Sequence, residues 1–146
     1  MKLSKELRNG FLIFLGIGIY FLLMDLFGLS KYYFLRIFNV FIIIYGLNMT
    51  LKSNIKEGKT GYLFNLISTG FTGFVGILLG IIGLALFVNF KGGASYLNSL
   101  SEAFLFGGNP SIAEYCMGLF IEGIASVLIV VFINMQYWRN KNVFKD

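Results

Sequence analysis

The chain is predicted to be an all-α integral membrane protein: four transmembrane helices in an antiparallel bundle, with a short interfacial helix in the outer loop. Four long apolar runs, 11–29, 32–51, 61–90 and 112–138, are the first reason. Composition is the second, because only 13% of the residues are charged, against about 25% in soluble domains. The third is where the positive charges fall. Of the 12 Lys and Arg, nine lie at the N-terminus (Lys2, Lys5, Arg8), between the second and third runs (Lys52, Lys56, Lys59) and at the C-terminus (Arg139, Lys141, Lys145). Only Lys31, Arg36 and Lys91 remain for the other side, so the positive-inside rule places both termini in the cytoplasm.

Each element follows from local signals. Residues 1–10 form a basic flank like that of a signal peptide, but the apolar run behind them is long and lacks a small-residue cleavage site, so a retained first helix is expected. The nineteen residues 11–29 extend about 28 Å at 1.5 Å each, close to the roughly 30 Å of bilayer hydrocarbon. Gly28, Leu29, Ser30 and Lys31 make a tight turn into the second run, giving a helical hairpin, and residues 52–59 make a short basic loop. The third run is uncharged over 61–90, longer than a perpendicular span needs. It therefore tilts, or its first turn (Tyr62, Phe64, Asn65) lies in the interface. In the loop beyond it, Tyr96, Leu100 and Phe104 recur every four residues, the mark of a short amphipathic helix on the membrane surface. After Pro110, Ser111 as N-cap and Glu114 three residues on predict a capping box at the head of the last span. Tyr32, Tyr33, Tyr96 and Tyr115 mark an outer aromatic belt, and Tyr62, Tyr137 and Trp138 an inner one. The whole chain, 1–146, is one transmembrane domain.

The chemistry available is narrow. With no His and one Cys, neither a Cys/His metal site nor a Cys–His nucleophile can be built. No serine-nucleophile elbow, paired-aspartate motif or phosphate loop is present. The expectation is therefore no enzyme, no cofactor and no metal. The formal charge of +5 follows from topology, and no nucleic-acid partner is expected.

Four intramembrane polar residues are the candidates for a site. Glu122 lies near the middle of the last span, where a carboxylate costs about 2.5–3.5 kcal/mol even on the lenient insertion scale. Gly118, Glu122, Ala125, Ile129 and Gln136 fall on one stripe of that helix, so Glu122 is expected to face protein. Two roles are open to it: a hydrogen-bonding lock between helices, or a proton- or cation-coupling residue. Asp25 and Arg36 sit on opposite arms of the first hairpin at similar depth, and an ion pair between them is the expectation; Arg36 meeting Glu122 is the alternative. Asn39 shares the face of Arg36.

Gly70, Gly73, Gly76, Gly80 and Gly83 are spaced by three and four, so they share one side of the third helix. With Gly118 and Ala125 they form the expected helix-packing face, since small residues let helices approach closely in lipid. The order of hairpin, short basic loop, glycine-rich third span, outer loop and last span resembles that of small four-helix bacterial inner-membrane proteins. The resemblance covers the whole chain. It implies the inner membrane as the location and carries no activity or functional residues. Partners beyond the lipid bilayer are then another membrane protein or a second copy. The expected function is an accessory, assembly or regulatory subunit acting through helix–helix contacts. The alternative is a homo-oligomeric small transporter or channel with Glu122 as its coupling residue.

Overall fold

A computed structural model describes residues 3–100 and 108–144. Its described part is all-helical: α1 (Leu3–Leu26), a 3-10 segment (Tyr33–Phe38) leading into α2 (Asn39–Lys56), α3 (Tyr62–Phe90), α4 (Ala94–Leu100) and α5 (Ile112–Arg139). Among the described residues four helices are long and apolar enough to cross a membrane.

The boundaries differ from the sequence reading mainly at the two ends of the first hairpin. Helix α1 begins eight residues before the apolar run, at Leu3, because nothing in Lys5–Gly10 breaks a helix and Glu6 lies in its first turn, where an acidic side chain favours helix initiation. It stops at Leu26, and the chain reverses through Gly28 at φ +68, a left-handed conformation for which glycine carries no Cβ penalty. The second span starts as a 3-10 turn with no buried residue, so no packing holds that segment in the α form. Helix α3 keeps its full length, and its 29 residues extend about 43 Å. Helix α5 opens on the expected capping box: Glu114 N–H donates to Ser111 Oγ at 3.2 Å, and Ser111 N–H donates to Glu114 Oε2 at 2.7 Å.

Helix α3 is the hub. It packs against α1, α2 and α5, and α1 and α5 reach each other chiefly through it. The main core joins Ile13, Ile43, Leu47, Leu51, Ile77, Val127, Val130, Val131 and Met135. A smaller core of Val88, Leu97, Leu100 and Tyr115 seats α4 against α3 and α5. Phe104, the last residue of the expected amphipathic repeat, lies outside the described residues. Tyr115, expected in an aromatic belt, is instead only 2% exposed, because it closes this smaller core.

The glycines do not share one role. A Cβ on Gly76 would meet Ile13 at 2.8 Å and the Gly10 carbonyl at 3.1 Å; one on Gly73 would strike Val127, and one on Gly83 would meet Phe14 at 2.8 Å. These three are close-contact positions. Gly70 and Gly80 meet nothing within 4 Å, so neither is held against a neighbouring helix. The stripe of α5 also needs correcting. Its inward residues are Gly123, Val127, Val130, Val131 and Asn134, with Gly118 half-buried and Ala125, Ile129 and Gln136 exposed. The β-branched Val127 fits against Gly73, and that fit turns Ala125 outward.

Candidate functional site

The four intramembrane polar residues do not pair as expected. Asp25, at the end of α1, turns away from Arg36. Its carboxylate accepts from Tyr96 Oη at 2.7 Å and Ser30 Oγ at 3.4 Å, and lies 3.3 Å from Lys91 Nζ. Asp25 is thus the anchor that ties the loop and α4 to the first hairpin. Burial first, then the hydrogen bond to Asp25, pushes the Tyr96 hydroxyl above the usual tyrosine range.

Arg36 crosses instead to α5. Its guanidinium donates to Tyr115 Oη at 2.6 Å and stands 3.7 Å from Glu122 Oε2. The expected hairpin pair is replaced by two longer-range pairs. The reason is position: Arg36 lies in the 3-10 segment before α2, whose twist carries its side chain toward Tyr115 and Glu122. The Arg36–Glu122 separation is an ion-pair distance but exceeds a hydrogen bond, so both groups keep polar capacity to spare.

These residues line a cavity of about 300 Å³ between α1, α2, α3 and α5. One wall is polar: Arg36, Asn39, Tyr115, Glu122 and Ser126. Asn39 Oδ1 is buried and has no hydrogen-bond partner among the described residues. Ser126 Oγ is committed to its own helix, donating to the Glu122 carbonyl at 2.9 Å. The opposite wall is aliphatic and aromatic, with Phe14, Ile17, Phe21, Ile81, Leu84 and Phe87. Gly18 and Gly80 also border the space, and a Cβ added at either would meet nothing within 4 Å, so the absent side chains leave the space open. An apolar cavity with a few convergent polar groups is the usual form of a small-molecule site.

At the other end of the helices is a polar cluster that the sequence reading missed. Glu6, Asn9, Thr50, Asn54, Ser68 and Thr72 are each at most 1% exposed. Ser68 Oγ donates to Glu6 Oε1 at 2.6 Å and accepts from Asn54 Nδ2 at 2.9 Å. One turn along, Asn9 Nδ2 donates to Thr50 Oγ1 at 2.9 Å, and Thr50 and Thr72 share a hydrogen bond of 3.0 Å. The result is two rungs across α1, α2 and α3. Above it, Lys5 and Lys59 both pair with Glu57, at 3.0 and 2.6 Å. The hydrogen bond from Lys59, then that from Lys5, holds the Glu57 carboxyl down to about 2. The available signal was spacing: Glu6 and Asn9 are three apart, Thr50 and Asn54 four, and Ser68 and Thr72 four, so each pair shares a helix face.

A further polar tie joins α2 to α5. Trp138 Nε1 donates to Asn48 Oδ1 at 2.9 Å, and Asn48 Nδ2 donates to Asn134 Oδ1 at 3.4 Å and to the Ile44 carbonyl at 3.0 Å.

Among the described residues no group of three or more His, Cys, Asp or Glu is placed to hold a metal ion. No protein-family model, curated relative or solved structure matches the chain, so the site is read from its own chemistry.

Proposed function

We propose that this chain is an integral membrane protein that binds a small amphiphilic molecule in the cavity lined by Arg36 and Glu122. The helices would lie antiparallel in a bacterial inner membrane with both termini cytoplasmic and α4 at the outer surface. The charge asymmetry supports that orientation. So do the contacts, because Lys5, Glu57, Lys59, Tyr62 and Phe144 gather at one end while Asp25, Lys91 and Tyr96 gather at the other.

One observation carries the functional reading: a cavity with an apolar wall and a compensated ionic corner, formed within a single chain. An aliphatic or aromatic body suits Phe14, Phe21 and Phe87. A zwitterionic, amide or hydroxyl head suits Arg36, Glu122 and the free Asn39 Oδ1. A pocket of about 300 Å³ is at the small end for such sites, which limits the ligand to one short chain or one ring system. Glu122 would then be a ligand-contacting group, half of an ion pair.

The test is purification in mild detergent, followed by mass spectrometry of small molecules released on denaturation. A short amphiphile released by the wild type and lost from Gly80→Leu, in which the side chain fills the cavity, supports the reading. An equal yield from both overturns it. The accessory-subunit reading stands second, supported by the outward-facing Ala125 and half-buried Gly118 on α5. It predicts that the same preparation carries a larger membrane protein in fixed ratio, lost from Ala125→Phe.

A further inference from the structure

The two-rung network at the inner end leaves three acceptor oxygens without a donor. Glu6 Oε2, Asn9 Oδ1 and Asn54 Oδ1 are buried and have no hydrogen-bond partner among the described residues. The hydroxyl hydrogens beside them are already committed. Ser68 gives its hydrogen to Glu6 Oε1. Thr72 gives its own to the Ser68 carbonyl at 2.9 Å, so Thr50 must be the donor in the Thr50–Thr72 pair. Among the described residues, three oxygens from three side chains in one buried cluster therefore lack a donor, and a buried acceptor left unmet is costly.

We infer that this cluster, Glu6, Asn9 and Asn54 with the hydroxyls of Thr50 and Ser68, is a binding site for a hard monovalent cation of the sodium class. One ion answers several oxygens at once, whereas a proton on Glu6 would supply a single donor. The donor set is all oxygen, as hard cations require, and lacks the sulfur and imidazole that transition metals select. One carboxylate among neutral amides and hydroxyls suits a single charge better than calcium, which takes several carboxylates. Three helices contribute: α1 through Glu6 and Asn9, α2 through Thr50 and Asn54, α3 through Ser68. Occupancy therefore clamps them together.

The charged groups facing Glu6 are Lys5 on its own helix and Glu57 and Lys59 at the end of α2 and its loop. Both lysines are engaged by Glu57, so among the described residues no cation forms an ion pair with Glu6, and Lys59 acts on it only at longer range. Their one net positive charge at the rim weakens the affinity.

The experiment uses the full chain purified in detergent, with sodium itself as the probe. Thermal unfolding is followed at fixed pH and ionic strength as choline chloride is exchanged for sodium chloride, and radiolabelled sodium binding is measured in parallel. The site predicts a saturable rise of about 5 °C in Tm and saturable binding at one ion per chain. Both are lost in Glu6→Gln, which keeps an acceptor for Ser68 but not the charge. Thr50→Val serves if Glu6→Gln fails to fold, since wild-type ion binding does not depend on either variant. Identical melting and no bound label in the wild type overturn the inference. So does a shift that follows pH but not sodium, which would assign a proton to Glu6, and so does undiminished sodium binding in a folded variant.

Discussion

The two ends of this helix cluster use intramembrane polar groups in opposite ways. At the end proposed above as the inner one, six side chains from three helices are fully buried and joined by hydrogen bonds. At the end proposed as the outer one, Arg36, Asn39 and Glu122 are half-buried around open space. Residue size explains the contrast. Inner hydroxyls and amides are short, so backbones close to the distance that lets Gly10 sit against Thr72 and Val75. Outward of this region, bulky rings such as Phe14, Phe21 and Phe87 hold the helices apart, and glycines such as Gly18 and Gly80 leave the gap unfilled. Polar groups in an apolar setting must find partners; one end finds most of them in neighbouring helices, the other offers them to a cavity.

The largest test of that contrast lies within the glycine stripe. Gly76→Leu drives a side chain into Ile13 and the Gly10 carbonyl, and is expected to cost about 3 kcal/mol by overpacking. Gly80→Leu enters open space and should leave the unfolding midpoint in detergent nearly unchanged while abolishing ligand release. Equal damage from the two would mean that the cavity is not a real difference between the ends.

Serine substitutions come next. Ser68→Ala removes the donor to Glu6 and the acceptor of Asn54, and a loss of about 1–3 kcal/mol is expected. Ser126→Ala removes only a bond back to its own helix and should fall within about 0.5 kcal/mol. Chemical unfolding of both variants decides the matter, and a reversed order would break the contrast between the two ends.

The Arg36–Glu122 pair should show a smaller stability effect and a larger binding effect. Arg36→Leu strands Glu122 without its cation, and a loss of about 1–2 kcal/mol is expected for a carboxylate left without its partner. Adding Glu122→Leu should recover most of that stability without recovering ligand, whereas Glu122→Gln alone should fold normally. A double variant that regains ligand binding would remove the ionic corner from the site.

The smallest effect concerns Glu57. Its carboxyl is held at about 2, below the ordinary 4.5, so its contribution to the folded state is complete above pH 4.5 and fades as pH falls toward 2. Glu57→Gln should flatten the acid side of the melting curve between those values and leave the neutral side almost unchanged. An identical acid limb in the variant would show that the Lys5–Glu57–Lys59 cluster does not couple to folding.

Hydropathy and spacing along the chain were enough to locate the four long helices. Four runs of this length and apolarity have few other folded forms in lipid, because backbone groups must be satisfied within each span. The Ser111–Glu114 box was equally legible, since a cap depends on residues three apart. Glu122, Arg36, Asn39 and Asp25 stood out because ionisable and amide groups in an apolar run are rare. Their pairing did not, since Arg36 choosing Tyr115 and Glu122 over Asp25 depends on a 3-10 segment and on α4 delivering Tyr96 and Lys91 to Asp25. Nor did the difference between Gly76 and Gly80, which share a helix face and differ only in what stands opposite. Glu6 and Asn9 were hidden for the same reason: along the chain they resemble a solvated basic flank, and only the packing of α1 on α2 and α3 buries them. Periodicity is a property of one helix, whereas partnership and empty space belong to the contacts between helices, and tertiary structure alone decides those.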